Sequence, residues 1–422
     1  MGGLTRIATL FGPVAPADEI RVDVGDAVAG AADFERIQYG YIQRAFSQLG
    51  YDALNMGHRE ASLAAADLRE LKANAPVTML SANLLDRTTG LPLFESHKIV
   101  QRGGRRIALI GIMETHSLGD GLGEGLALEK PEVALGRLLP ALKGQADCIV
   151  LMGFADDETL AALARQFYEI DVILGGKVRQ PSQQLVKENR SLILTTTNES
   201  RAVGMLQTRL LSPGRLEAVH GEVTLVSDQI PQAEEIAALA VAYREEIRGT
   251  KLAIDDPANL QQNMVPGVQA RATYAGTQNC LACHPQAGHK WAESGHAHAF
   301  ATLVSLKADA DPNCIGCHTV GFGTPSGYRR EFKDAKLVDV GCESCHGPGS
   351  QHVAERRAGG EITMHFRPIG AGDCQKCHHG EFSRPFAWDH FWPHVAHGKE
   401  SLVKKILHPS AGAHPGLPPV LD

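Results

Sequence analysis

Four segments of the chain read Cys-x-x-Cys-His: Cys280-Leu-Ala-Cys283-His284, Cys314-Ile-Gly-Cys317-His318, Cys342-Glu-Ser-Cys345-His346 and Cys374-Gln-Lys-Cys377-His378. Two thiols three residues apart can each form a thioether to one vinyl group of a single haem. The histidine that follows then sits beneath the iron as proximal ligand. By chance, this composition yields on the order of 0.01 such segments, so four of them point to four covalently bound c-type haems and to electron transfer. Zinc accepts paired Cys-x-x-Cys motifs, and disulfide frameworks are rich in cysteine. Neither explains a histidine after every second cysteine. The ninth cysteine, Cys148, lies in the apolar run Cys148-Ile-Val-Leu-Met152 and reads as a buried core residue.

Eight of nine cysteines, fifteen of nineteen histidines and all three tryptophans lie beyond residue 279, so the two ends of the chain do different chemistry. About 140 residues must house four macrocycles, too little chain to bury them in a conventional core. The haems themselves are therefore expected to be most of the core, wrapped by short helices and loops. The Gly/Pro-rich stretches Gly321–Gly327 and Gly347–Ser350 suit that arrangement. Each iron has a sixth position, and eleven histidines of this region remain after the proximal four. Bulky apolar neighbours shield a ligand histidine from water, which favours His296 in Trp291-Ala-Glu-Ser-Gly-His-Ala-His-Ala-Phe300. The same argument favours His394 and His397 in Trp388-Asp-His-Phe-Trp-Pro-His-Val-Ala-His397. His379 directly follows a proximal ligand and is poorly placed to reach a distal face. His408 and His414 fall in a Pro/Gly-rich tail expected to be extended.

The C-terminal region resembles the tetrahaem cytochrome c-554 family, electron acceptors of hydroxylamine oxidoreductase in ammonia oxidisers, over roughly residues 274 to 400. The likeness rests on Trp291-x-x-Ser-Gly-His-Ala297, on Cys314-x-x-Cys-His-x-x-Gly-Phe-Gly323, and on Val340-Gly-Cys-Glu-Ser-Cys-His-Gly-Pro-Gly349 followed by His352. It implies His296, His352 and a C-terminal-helix histidine, best matched by His397, as distal ligands. It also implies one five-coordinate haem, on His318. Spacing leaves open which distal histidine serves which haem, because ligands cross between motifs.

Ahead of these motifs, residues 1 to about 250 alternate apolar runs with amphipathic patterns. Strand-like runs are Ile20–Val24, Val77–Leu80, Ile107–Ile112, Cys148–Leu151, Val172–Leu174 and Leu192–Thr195. Apolar residues at three- and four-residue spacing predict helices over 34–49, 61–73, 131–143, 157–167 and 232–248. The alternation predicts an α/β domain, and Gly204 to Val226 a hairpin returning to its sheet. The expected organisation is an α/β domain over 1–249, a linker over 250–273 and a mainly α, loop-rich haem domain over 274–422.

The α/β part resembles the 5′-nucleotidase branch of the calcineurin-like metallophosphoesterases. The matching runs are Gly2–Thr9, Val22-Asp-Val-Gly-Asp26, Tyr51-Asp-Ala-Leu-Asn-Met-Gly-His58-Arg-Glu60 and Asp171-Val-Ile-Leu-Gly-Gly176. The resemblance implies a two-metal sandwich whose first strand is missing from this chain, and it identifies a departure. Asp26 keeps its place, but His58 stands where an asparagine ligand is expected and Arg59 where the catalytic histidine is. Gly153 stands at a third ligand position, and Lys177 and Arg179 replace the closing histidine pair. Two-metal hydrolysis needs a full ligand set, so this domain is expected to be catalytically inactive, a docking or scaffolding platform.

The net charge of −7 gives no sign of a nucleic-acid partner, and no apolar run is long enough to span a membrane. Haem attachment takes place outside the bacterial inner membrane, so a periplasmic or cell-surface location is expected. The N-terminus shows no export signal, and one cause, a shortened start, is expected to account for this and for the missing strand. Over 271–422, fifteen Lys/Arg and fourteen Asp/Glu nearly cancel, so haem propionates would leave that region anionic. The expected function is an electron relay between a redox donor and acceptor. Reduction or oxidation of a small nitrogen compound at an open haem is the alternative, and phosphoester hydrolysis a remoter one.

Overall fold

The computed structural model describes residues 2–12, 17–116, 121–178, 180–197, 200–260, 273–379 and 386–398. Arg179, His408, His414 and the 261–272 stretch of the expected linker lie outside these residues. The chain divides into two compact units, Met1–Tyr243 and Arg244–Asp422.

The N-terminal unit is built on two sheets. Three short parallel strands, β1 (Val22–Asp23), β2 (Ala53–Asn55) and β3 (Met79–Leu80), form the first. The second contains β5 (His97–Arg102), β6 (Arg105–Met113), β8 (Cys148–Phe154), β9 (Val172–Gly175), β10 (Val186–Glu188) and β11 (Ser191–Thr195). Its order is β10-β11-β9-β8-β6-β5, parallel from β6 to β11 with an antiparallel strand at each edge. A small pair, β4 (Leu84–Asp86) and β7 (Leu126–Leu128), stands apart. The buried strands read as unbroken apolar runs because both faces are covered. Between the sheets, Ala53 and Leu80 pack with Leu109, Cys148, Val150, Met152 and Val172.

Helices α5 (Pro131–Leu142) and α6 (Asp157–Gln166) close the outer face of the large sheet through Leu135, Leu139, Leu160 and Leu163. Both start where the sequence allows. Pro131 occupies the first turn of α5, and Asp156 caps α6 by accepting a hydrogen bond from the Thr159 N–H at 2.8 Å. Helices α1 (Gly2–Phe11), α2 (Asp33–Gln48), the single turn α3 (His58–Ala61) and α4 (Ala65–Asn74) cover the small sheet. Trimming Leu151, fully buried in β8, to alanine would cost about 2–5 kcal/mol, transfer and cavity terms together.

The hairpin falls where expected, β12 (Ala202–Ser212) and β13 (Arg215–Leu225), but it does not rejoin the large sheet as a strand. It forms its own two-stranded sheet, with Leu206, Leu210 and Leu216 packed on the inter-sheet core. Alternate residues are exposed, so one face is spent on packing.

Helix α7 (Glu234–Gly249) carries the chain across the division at Tyr243. Residues 250–260, expected to be linker, are folded into the C-terminal unit instead. Leu252 and Leu260 are buried, and the Asp255 carboxylate receives two hydrogen bonds from the Arg330 guanidinium at 3.0 and 2.7 Å. The remaining Arg330 N–H groups donate to the carbonyls of Ile247, Thr250 and Ala310. This segment also holds the short helix α8 (Pro257–Leu260).

Beyond it the described residues form short helices: α9 (Thr277–Leu281), α10 (Pro285–Ala292), α11 (Ala299–Ser305), α12 (Pro312–His318), α13 (Cys342–His346), α14 (Ser350–Ala358), α15 (Ala371–Cys374) and α16 (Trp388–Val395). Its buried apolar cluster is small, formed by Leu303, Ala308, Ile315, Val320, Tyr328 and Leu337. Among the described residues no helix is long and apolar enough to cross a membrane.

Candidate haem site

The second and third motifs lie on short helices, α12 and α13, that end on His318 and His346, whereas α9 and α15 end inside the first and fourth motifs and leave His284 and His378 beyond them. In the second motif, Asp311 caps α12 through the Asn313 N–H at 3.0 Å, with Pro312 in the first turn. The thiols of different motifs come together in twos. Cys280 shares a hydrogen bond with Cys342, and Cys317 with Cys377. The first and third motifs are thus neighbours, as are the second and fourth. Cys283, Cys314, Cys345 and Cys374 form no disulfide. Burial pushes the Cys314 thiol up to about 12 and the Cys345 thiol up to about 11. Cys148 lies apart in β8, where burial raises its thiol to about 12, as suits an inert core residue.

The motif histidines face histidines from elsewhere in the chain. His284 and His352 have ring centroids 6.4 Å apart, His378 and His296 6.1 Å, and His346 and His397 5.9 Å. An iron–imidazole bond of about 2 Å plus roughly 1.1 Å from nitrogen to ring centre, counted on both sides, gives about 6.2 Å. All three spacings therefore fit an iron held between two imidazoles. His390 and His394 are also 5.9 Å apart, but they are neighbours one turn apart on α16 and neither belongs to a motif. Burial lowers the pKa of His296, His346 and His378, keeping each ring neutral with a lone pair free for metal.

The supporting contacts fix these rings. His296 sits in a tight turn, Gly295–His298, and its carbonyl accepts from the Val340 N–H at 3.1 Å. The Trp291 indole N–H donates to the Val340 carbonyl at 2.9 Å, tying α10 to the same stretch of chain. The Phe366 ring stands 5.2 Å from His352 and 5.6 Å from His346. Glu355 holds its loop by accepting from the Thr363 and Met364 N–H groups. Together with bonds from the Thr363 hydroxyl and Gln351, these lower its carboxyl to about 2. Phe386 and Phe391 lie 5.6 and 6.0 Å from His378. These phenylalanines, rather than the tryptophans, are the rings nearest the candidate ligands. Trp388 and Trp392 stack on one another at 4.5 Å.

His318 differs. Its Nδ1 makes a 2.6 Å hydrogen bond to the Ala299 carbonyl, which orients the ring. Among the described residues, no imidazole faces it as the other three motif histidines are faced. The candidate set thus contains three histidine pairs and one histidine alone. Of His394 and His397, both open in the sequence, His397 is the one whose ring faces a motif histidine.

The N-terminal cleft does not fit the metal ions of its fold class. The Lys177 ammonium is paired with the buried Glu114 carboxylate and reaches the His116 carbonyl at 3.4 Å. His58 Nε2 contacts the Glu114 carbonyl at 3.2 Å. Its pKa is lowered by burial first and the nearby ammonium second. Asp26, in a left-handed conformation (φ 64°), spends one oxygen on the Arg59 N–H at 2.8 Å. Glu60 accepts from the N–H groups of Asp26, Val28 and Gly57. Among the described residues no cluster of His, Cys, Asp and Glu is gathered around a metal-sized space.

Residues 279–347 match the family model described as cytochrome c554 and c-prime. Cytochrome c-554 of Nitrosomonas europaea is 36% identical over 107 residues, covering 22% of this chain and 46% of that protein. A 5′-nucleotidase of Vibrio cholerae is 30% identical over 167 residues, covering 35% of this chain and 30% of that protein. The chain therefore spans less than half the length of these curated relatives. Among solved structures, a 5′-nucleotidase precursor from Thermus thermophilus superposes with a TM-score of 0.50 at 19% identity, covering 68% of this chain and 61% of that one. The N-terminal unit thus has an α/β metallophosphoesterase-like fold, and the C-terminal region is similar to a c-type cytochrome.

Proposed function

We propose that this chain is a periplasmic or cell-surface cytochrome that relays electrons between a redox donor and acceptor through four haems c. The thioether bonds would come from Cys280/Cys283, Cys314/Cys317, Cys342/Cys345 and Cys374/Cys377, with His284, His318, His346 and His378 as proximal ligands. The observation that carries this reading is the set of three opposed imidazole pairs, His284/His352, His378/His296 and His346/His397, at the spacing one iron requires. When bound, the haem irons supply one-electron chemistry at potentials set by axial ligands, burial and hydrogen bonds.

The protein's own residues do the rest. Phe366, Phe386 and Phe391 keep water from the ligand rings. The neighbouring cysteines of motifs one and three, and of two and four, bring successive redox centres close, which favours rapid hopping. Two imidazoles on an iron leave no position for substrate, so the three paired sites suit transfer alone.

His318 favours a second reading, reaction of a small nitrogen compound at an open iron, since no ring among the described residues opposes it. Optical and EPR spectroscopy of the haem-loaded protein with carbon monoxide added to the reduced form separates the two. Four low-spin irons inert to the gas support the relay alone. One high-spin iron that binds it makes the His318 haem a reaction site.

A further inference from the structure

The carboxylate of Glu343, between the two cysteines of the third motif, is only 4% exposed. It carries three backbone hydrogen bonds: Oε1 accepts from the N–H groups of Ala275 at 2.8 Å and Gly349 at 2.7 Å, and Oε2 from that of Gly276 at 2.7 Å. Ala275 and Gly276 open the first motif, since Gly276 precedes α9 and its carbonyl lies 3.9 Å from Cys280 Sγ. Gly349 closes the third motif and starts α14, the helix of His352. One side chain therefore joins the approach to His284, the motif of His346 and the helix that supplies the ring opposite His284. A second tie runs alongside, with Ser350 N–H to the Thr273 carbonyl at 3.1 Å and Thr273 N–H to Ser350 Oγ at 2.8 Å.

Among the described residues, no lysine, arginine or histidine ion-pairs with Glu343. Backbone N–H groups satisfy its hydrogen bonds without cancelling its charge. The Cys280 and Cys342 sulfurs lie within hydrogen-bond reach of one another beside it, so the charge lies next to the attachment points of two haems. A ferric haem carries one more positive charge than a ferrous one. A fixed anion in a low-dielectric site favours the ferric state. A carboxylate needed only as a staple could be replaced by a neutral acceptor without electronic consequence.

We propose that Glu343 is a positioning residue that sets the first and third haems against one another and, as a buried unpaired anion beside both, holds their reduction potentials down. This rests on the four-haem reading above. The test is a spectroelectrochemical titration of the full-length, haem-loaded protein and its Glu343→Gln and Glu343→Asp variants, each first counted for haem by intact mass. Glutamine keeps an oxygen for Ala275 and Gly349 but has no charge, whereas aspartate keeps the charge on a shorter arm.

The expected result for Glu343→Gln is four haems, with the haems on His284 and His346 shifted to more positive potential and the other two moved less. Glu343→Asp should stay near wild type. Unchanged potentials in a fully loaded Glu343→Gln protein, or an equal shift in both variants, would overturn the electrostatic role. A glutamine variant that fails to load would also overturn the electrostatic role, because the carboxylate would then be needed to assemble the motifs rather than to tune their haems. A wild-type mass without four haems would instead sink the reading beneath it.

Discussion

Replacing His352 with alanine removes the ring 6.4 Å from His284 and leaves the other two pairs intact, since they share no residue with it. With one open iron on His318, the reduced protein should bind about one carbon monoxide per chain, and the variant about two, as the high-spin share rises from about a quarter to about a half. The ring of Phe366 touches both His352 and His346, so the change could spread. One aromatic contact is worth only about 0.5–1.5 kcal/mol, too little to unseat a ligand bonded to iron. The second open site should therefore be confined to His284. Titration of the reduced protein with carbon monoxide, read in the Soret difference spectrum, gives the stoichiometry directly. Binding that stays at wild-type stoichiometry would refute the His284/His352 pairing. So would EPR assignment of the newly high-spin iron to the haem on His346 or His378.

Four further outcomes follow from the geometry. Arg330→Met leaves the Asp255 carboxylate, 3% exposed, without its guanidinium, and should lower the stability of the C-terminal unit by about 3–5 kcal/mol in urea unfolding. Burial pushes the Glu60 carboxyl up to about 7, with the Asp26 charge adding to the shift. The folded N-terminal unit thus holds a proton that the unfolded chain releases above about pH 4.5, and its stability should fall, on the order of 2–3 kcal/mol, as pH rises from there to about 7; a urea midpoint in far-ultraviolet circular dichroism that is flat or rising over this window contradicts the assignment. Lys177→Met strands the Glu114 carboxylate, 2% exposed, and should destabilise the N-terminal unit by about 1–3 kcal/mol. Millimolar Mn2+ should leave the wild-type melting temperature of that unit where it is.

The sequence carried the α/β order well because buried parallel strands are written as uninterrupted apolar runs. Ile107–Ile112, Cys148–Leu151 and Leu192–Thr195 lie within β6, β8 and β11. It carried the short edge strands poorly. Val186–Glu188 is exposed or half-exposed throughout, so no pattern of burial marks it, and its pairing is set by β11 alone. The hairpin was legible as a hairpin but not as a separate sheet, because alternation states which residues share a face and not what that face covers. In the haem unit, the Cys-x-x-Cys-His spacing is a local chemical rule and was read without the fold. The pairing of His284 with His352, 68 residues apart in sequence, is a product of chain path. No local signal encodes it. Glu343 was hidden for the same reason, since a residue between two motif cysteines looks like filler until its carboxylate is seen to hold Ala275, Gly276 and Gly349.

In the N-terminal cleft the acids are held by the protein's own groups. Carboxylates gathered near divalent metal are held ionised by it. Here burial raises the pKa of Asp23, Asp26 and Glu60 instead, which is the behaviour of acids whose charge is not fully offset nearby. Two other compensations stand in the same cleft. The Lys177 ammonium supplies one positive charge to Glu114, and backbone N–H groups of Asp26, Val28, Gly57 and Arg59 occupy the lone pairs of Glu60 and Asp26. An oxygen that already accepts a backbone N–H is a poorer metal ligand, and an ammonium repels an approaching dication. The acids of this cleft are thus engaged by groups of the chain itself. The clusters on both faces of the large sheet supply the cohesion of this unit. A unit held together in this way keeps its shape whatever its cleft contains.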